Sequence, residues 1–261
     1  MPIIQAVLFD LGGTLLHYDQ PPENGFEAIN ARATRAFLNV AMRRGTKVSD
    51  PDLALRAVAR MAAALEAKSK RTRYSNTAET MVREGLEAIG VRVPDVVFGE
   101  AMDAYYQAVS DIVTPVVGDP IAVLEYLSEQ GRQVGLVSNT LWKPEMHDAD
   151  LARYGLLELL PVRVYSCRAG YVKPDERIFR QALDHFDVAP AEAVFVGDRL
   201  QEDVAGPQKT GMRTVLVASP WHTEESDAVI PEARIATIDD LPAVLDAWDR
   251  ADETQVLPAA G

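Results

Sequence analysis

The chain has 261 residues, 48% of them apolar, enough to bury a substantial core and too many for wholesale disorder. Its formal net charge of −13 repels phosphate backbones and argues against general nucleic-acid binding, while leaving room for a small anionic substrate at a locally positive site. A single cysteine, Cys167, permits no intramolecular disulfide; with no signal-peptide pattern and no apolar run long enough for a bilayer, a cytoplasmic protein without membrane association is expected.

Residues 3–9 form a short β-rich apolar run that ends in Asp10, the pattern of a fully buried strand. From residue 20 to about 113 the signals are helical. Phe26, Ile29, Ala33, Phe37 and Val40 recur at helical spacing, opened by an Asn24/Glu27 capping signal and closed by Gly45. Leu53, Val58, Met61 and Leu65 continue after Asp50-Pro51, Asn76 and Glu79 open a third helix ending near Gly90, and Pro94 starts a fourth carrying Val97, Ala101, Tyr105 and Ile112. Asp119 and Pro120 then open a helix with Ile121, Leu124 and Leu127 on one face. Buried-strand runs follow at residues 133–138, 162–165, 193–197 and 213–217, separated by helical patterns. Strands alternating with helices imply a parallel sheet covered on both faces. The expected organisation is an α/β, Rossmann-like core from residues 1–19 and 114–250, an inserted all-helical domain at 20–113, and a tail at 251–261.

Four segments carry chemistry-bearing residues. In the first, Asp10 stands where a buried strand ends and Gly12 and Gly13 let the backbone turn sharply, so that its carboxylate can act as a nucleophile; an ordinary strand-ending turn has the same look. In the second, Ser138, Asn139 and Thr140 close a strand with small polar groups able to hold phosphate oxygens or to cap a helix. In the third, Lys173 precedes Pro174 and offers an ammonium to Asp10 and a bound phosphate, unless it is a solvated lysine beside a helix start. In the fourth, Asp198 follows a buried strand and Asp203 comes shortly after; the pair suits Mg²⁺, a hard cation that prefers oxygen, or serves as a loop acid and a helix cap.

Taken in order, these segments resemble the haloacid dehalogenase superfamily of hydrolases, in the form whose helical cap is inserted after the first motif. The stretches Gly170–Phe179, Asp203–Gly206 and Gly211–Leu216 add to the likeness, which covers about residues 4–245. The resemblance implies that Asp10 attacks phosphorus, Thr14 braces the loop, and Ser138, with Asn139 beside it, holds phosphate. It implies that Lys173 balances charge and that Asp198 and Asp203, with Asp10 and the Gly12 carbonyl, manage Mg²⁺. It also implies a flap after Asp10, a closing cap, and a small phosphorylated substrate.

One position departs from the phosphatase pattern. The second Asp, two residues after the nucleophile, which protonates the leaving alcohol and activates water, is Gly12 here. Either the substrates have good leaving groups, or another residue such as His17 supplies the proton, or the chain binds phosphate with little turnover. A 2-haloacid dehalogenase, which lacks that Asp and needs no metal, is the enzymatic rival. A phosphonate hydrolase would need an amine from the insertion, where Lys47, Lys68 and Lys70 lie. Among weaker features, the basic run Lys68–Arg73 is expected to be a solvated helix end. Trp142, Tyr171 and Trp221-His222 are expected to pack under loops or face substrate, Cys167 to be a small buried hydrophobe, and Pro207 to sit in the first turn of a helix. Nothing in the sequence specifies an oligomeric state.

Overall fold

A computed structural model describes residues 3–18, 25–220, 222–223 and 225–256. In chain order the elements are β1 (Ala6–Phe9), β2 (Leu16–Tyr18), α1 (Gly25–Arg43), α2 (Pro51–Thr72), α3 (Ala78–Glu87), α4 (Asp95–Ser110), β3 (Val113–Pro115), α5 (Pro120–Glu129), β4 (Gln133–Ser138), α6 (Pro144–Arg153), β5 (Val162–Tyr165), α7 (Ser166–Ala169), α8 (Glu176–Phe186), β6 (Ala193–Gly197), α9 (Gly206–Thr210), β7 (Arg213–Val217), β8 (Ala233–Ile235) and α10 (Leu241–Val256). The chain divides into two compact units. A sheet unit holds the described residues of Met1–His17, Pro115–Asn139 and Leu151–Gly261, and a helical unit holds those of Tyr18–Thr114 and Thr140–Asp150.

The sheet unit is built on six parallel strands in the order β5-β4-β1-β6-β7-β8. Every residue of β1 and β6 is buried, which is why these strands read as continuous apolar runs. After β1 the chain builds outward on one side through β4 and β5, then returns to build the other side from β6. That reversal is the topological switch point at which open α/β sheets gather ligands. The register brings the strand ends level: Phe9 lies opposite Leu136 of β4 and Val196 of β6, so Asp10, Ser138 and Asp198 all follow within two residues of one line. Helix α8 seals one face, its Phe179 ring edge-on to Phe195 at 5.2 Å.

The expected α/β class holds, and β4 to β7 fall on the anticipated runs. Strand β8 was not anticipated, because three residues with Arg234 in the middle give no periodic signal. The short β2 and β3 pair with each other outside the main sheet. Helix α10 continues to Val256, into the stretch read as a tail.

In the helical unit α1 packs on α4 and α2, and α3 packs on α2. Phe37 meets Phe98 edge-on at 5.2 Å. Gly85 lets α3 touch α2: a Cβ there would lie 2.8 Å from the Val58 Cα. The third helix is capped by Thr77, whose hydroxyl accepts from the Thr80 N–H, while Asn76 turns its amide to Ser69 Oγ at 2.8 Å. Helix α4 stops at Ser110, before Ile112. The Asn24 cap lies outside the described residues. Residues Thr140–Asp150, read from sequence as part of the core stretch, belong to the helical unit. There the Trp142 indole donates to Tyr105 Oη (3.4 Å), Tyr105 donates to Asn30 Oδ1 (2.6 Å), and Asn30 donates to Met81 Sδ (3.3 Å). His147 shares a hydrogen bond with Thr140 Oγ1 (2.8 Å), and burial pushes its pKa down to about 3.

Candidate active site

The loop after β1 is shaped by backbone bonds. The Asp10 N–H continues the sheet by donating to the Val196 carbonyl (2.9 Å), and the chain then curls so that the Leu11 carbonyl accepts from Thr14, Leu15 and Leu16. Gly13 carries φ +90°, and a Cβ there would sit 2.3 Å from Asp198 Oδ2, so the turn presses directly on that carboxylate. Gly12 lies in the same turn and bridges to Leu16. The Thr14 hydroxyl is buried with no hydrogen-bond partner in the structure, so its side chain makes no bracing bond and the backbone holds the loop.

Lys173 is 3% exposed and therefore not a solvated lysine. Its Nζ donates to Asp10 Oδ1 (2.6 Å) and to Asp203 Oδ1 (2.7 Å). Asn139 grips the Lys173 backbone from both sides, accepting from its N–H at 2.7 Å and donating to its carbonyl at 3.1 Å. The side chain expected to touch phosphate thus spends its bonds on the lysine. Neither Ser138 nor Asn139 caps α6, which starts only at Pro144; Ser138 is buried at the end of β4, opposite Tyr165.

Asp203 lies in a π-helical turn, Leu200–Ala205, where the Gly206 N–H reaches back to the Gln201 carbonyl. Pro207 occupies the first turn of α9, where its missing N–H is of little consequence. The second Asp203 oxygen accepts from the Arg199 N–H at 3.0 Å, so both oxygens have protein partners. Two glycines permit this packing. A Cβ on Gly197 would lie 2.4 Å from Asp203 Cγ, and one on Gly206 would lie 2.8 Å from Pro174 Cβ.

Asp198 differs from its neighbours. It is 2% exposed, and neither carboxylate oxygen has a hydrogen-bond partner in the structure. Oxygens of Asp10, Asp198 and Asp203 come within 4.8 Å of one another. Burial, reinforced by the charges of Asp10 and Asp203 and opposed by Arg199, pushes the Asp198 pKa up to about 7. Burial likewise raises Asp203, to about 6, against the opposing pull of Lys173. Burial works against charge on Lys173, but the two carboxylates prevail and hold its pKa above the ordinary lysine value. Three buried carboxylates beside one buried ammonium, with the Asp198 oxygens engaged at most weakly by Ser219, match the hard-oxygen donor set of a divalent cation.

His17 lines a cavity of about 400 Å³ in the sheet unit with Thr14, Ser219 and Thr237. The histidine that meets the acids is His222, half-buried, with Nε2 3.9 Å from Asp198 Oδ2; burial, then Arg199, lowers its pKa. No short-range pattern links residues 198 and 222, and the sequence marked His222 only as a loop residue. Its neighbour Trp221 lies outside the described residues. Trp142 packs on Phe26 and His147 inside the helical unit, and Tyr171 stacks under Arg177 at 3.8 Å. Cys167 is partly buried in α7. Lys47, Lys68 and Lys70 are exposed, and Lys70 pairs with Glu66, so none is enclosed in the apolar pocket that Schiff-base chemistry needs.

The haloacid dehalogenase-like hydrolase family matches residues 4–211. A ribulose-1,5-bisphosphate 5-phosphatase of Halopiger xanaduensis is 35% identical over 135 residues, 52% of this chain and 54% of that protein, so the match spans about half of that relative. A glyceraldehyde 3-phosphate phosphatase of Methanopyrus kandleri is 30% identical over 217 residues, 82% of this chain and 84% of that protein. Among solved structures, a 2-haloacid dehalogenase from Pseudomonas syringae pv. tomato superposes with a TM-score of 0.68 at 22% identity, over 94% of this chain and 99% of that one. The last is a likeness of fold. No helix among the described residues is long and apolar enough to cross a membrane.

Proposed function

We propose that this chain, which belongs to the haloacid dehalogenase-like hydrolase family, is a Mg²⁺-dependent phosphatase acting on a small phosphorylated metabolite through an aspartyl-phosphate at Asp10. The observation that carries the reading is the convergence of the buried Asp198 carboxylate, which no close hydrogen bond satisfies, with Asp10, Asp203 and Lys173. Leaving such an acid without a cation costs stability. Names of relatives at 35% and 30% identity, both phosphatases of small phosphate esters, support the substrate class. The single cysteine suits a cytoplasmic setting.

In this reading an Asp10 carboxylate oxygen attacks phosphorus, the bond from phosphorus to the leaving oxygen breaks, and the leaving oxygen acquires a proton. Water then attacks phosphorus, releasing phosphate and restoring the carboxylate. Lys173 fixes the attacking carboxylate, Asn139 fixes Lys173, and the hydroxyls of Ser138 and Thr14 take phosphate oxygens. Asp198 and Asp10 would hold Mg²⁺, and the Gly12 carbonyl would offer a further oxygen. Asp203, its oxygens already engaged, acts through Lys173 or through water. When bound, Mg²⁺ offsets the charge between carboxylate and phosphate. With Gly12 in place of an acid, leaving groups that need little protonation are favoured.

Hydrolysis of acetyl phosphate and p-nitrophenyl phosphate, with and without Mg²⁺, tests this. Both should turn over with the cation present, alkyl phosphates should lag, and Asp10→Asn should abolish activity. Turnover persisting in a pure Asp10→Asn preparation removes Asp10 from the mechanism. Phosphate binding with no turnover at all points to a binding protein instead.

A further inference from the structure

The separation between His222 Nε2 and Asp198 Oδ2 is 3.9 Å. That is too long for a hydrogen bond. It is short enough for a single ion. Divalent cations of this size bind nitrogen or oxygen at about 2.0–2.2 Å, so two donors on one ion stand at most roughly 4.2 Å apart. The gap is too wide for two groups that bond each other and suits two groups that share a third. Both belong to the sheet unit, and the segment after β7 that carries His222 also carries buried Ser219.

We infer that His222 is a further donor of the cation site, adding an imidazole nitrogen to the carboxylate oxygens, so that the site binds first-row transition ions such as Mn²⁺ and Co²⁺ through a bond it does not offer Mg²⁺. The inference rests on the cation-dependent reading above and extends it to the identity of the ion. Mg²⁺ takes oxygen ligands and keeps its waters, whereas imidazole suits ions later in the first row. His222 therefore contributes unequally: little when the ion is Mg²⁺ and substantially when it is Co²⁺.

Mn²⁺ bound to the purified full chain, read by electron spin-echo envelope modulation, tests this without recourse to activity. The spectrum should show one directly coordinated ¹⁴N, replaced by the ¹⁵N pattern when the protein carries labelled histidine. In His222→Gln that coupling should vanish while Mn²⁺ still binds. Titration should show Co²⁺ affinity falling on the order of tenfold or more, and Mg²⁺ affinity changing by less than about threefold. Bound Mn²⁺ with no coupled nitrogen, or coupling that survives in His222→Gln, overturns the role of His222 and leaves the carboxylate site standing. If wild type binds no more Mn²⁺ than Asp198→Asn, the cation reading and this inference fall together.

Discussion

In the helical unit the Tyr105 hydroxyl, 0% exposed, has the Trp142 indole as donor on one side and Asn30 as acceptor on the other; in the sheet unit the Asp198 carboxylate, 2% exposed, has neither. The first arrangement is neutral and satisfied, as buried polar groups in a packed interior should be. The second gathers like charges and leaves one of them without a partner. Unsatisfied buried charge is costly and persists where something outside the chain completes it. The contrast separates polar residues that hold a domain together from those that await a ligand.

The widest separation should come from adding one more acid to the charged cluster. On the proposed mechanism, Gly12→Asp supplies a proton donor and should raise turnover of alkyl phosphates by up to about 10²–10⁴ while leaving acetyl phosphate nearly unchanged. A folded variant with no gain would show that the missing proton is not what limits the enzyme. Lys173→Met removes the ammonium that touches both Asp10 and Asp203. It should cost about 3–5 kcal/mol in urea unfolding without cation and stop turnover, and an unaltered midpoint would mean that the acids are not ionised together.

Smaller changes are expected on the satisfied side. Tyr105→Phe leaves the buried Asn30 carbonyl without its donor and should cost about 1–3 kcal/mol, with kcat on p-nitrophenyl phosphate unchanged. A lower kcat at full stability would move Tyr105 into the chemistry and blur the contrast. A further effect, seen only on acidification, concerns His147. The unfolded chain binds its proton below the ordinary value of 6.5, whereas the folded state takes it up only near pH 3. Stability should therefore be full above pH 6.5 and fall as pH drops from there toward 3. His147→Gln, able to hydrogen-bond Thr140 without a charge to gain, should flatten that fall in urea titrations at successive pH values.

Much of the sheet unit was legible in the sequence, because buried parallel strands leave continuous apolar runs and the acids follow them at once. Asp10 and Asp198 were named from such placement, Asp203 from its spacing after Asp198 and Lys173 from the proline that follows it, and all four converge in space. What the sequence hid is non-local. The grip of Asn139 on Lys173 joins the exit of β4 to the loop between α7 and α8. The approach of His222 to Asp198 depends on how the segment after β7 turns back. Thr140–Asp150 follows β4 with no compositional break, and only packing assigns it to the helical unit. At Asn76 and Thr77 two good capping residues compete, and the neighbouring Ser69 hydroxyl draws Asn76 away.

Gly13, Gly197 and Gly206 are each pressed against a neighbour with no room for a methyl group: Asp198, Asp203 and Pro174 in turn. None of the three has a side chain that could react. A saturation-mutagenesis survey scored by growth would nevertheless rank them with the aspartates, since any replacement displaces a carboxylate or the proline beside the lysine. The map of positions this enzyme cannot vary is therefore larger than the map of atoms it uses, and a designer moving the site to another scaffold must carry over the empty spaces along with the acids.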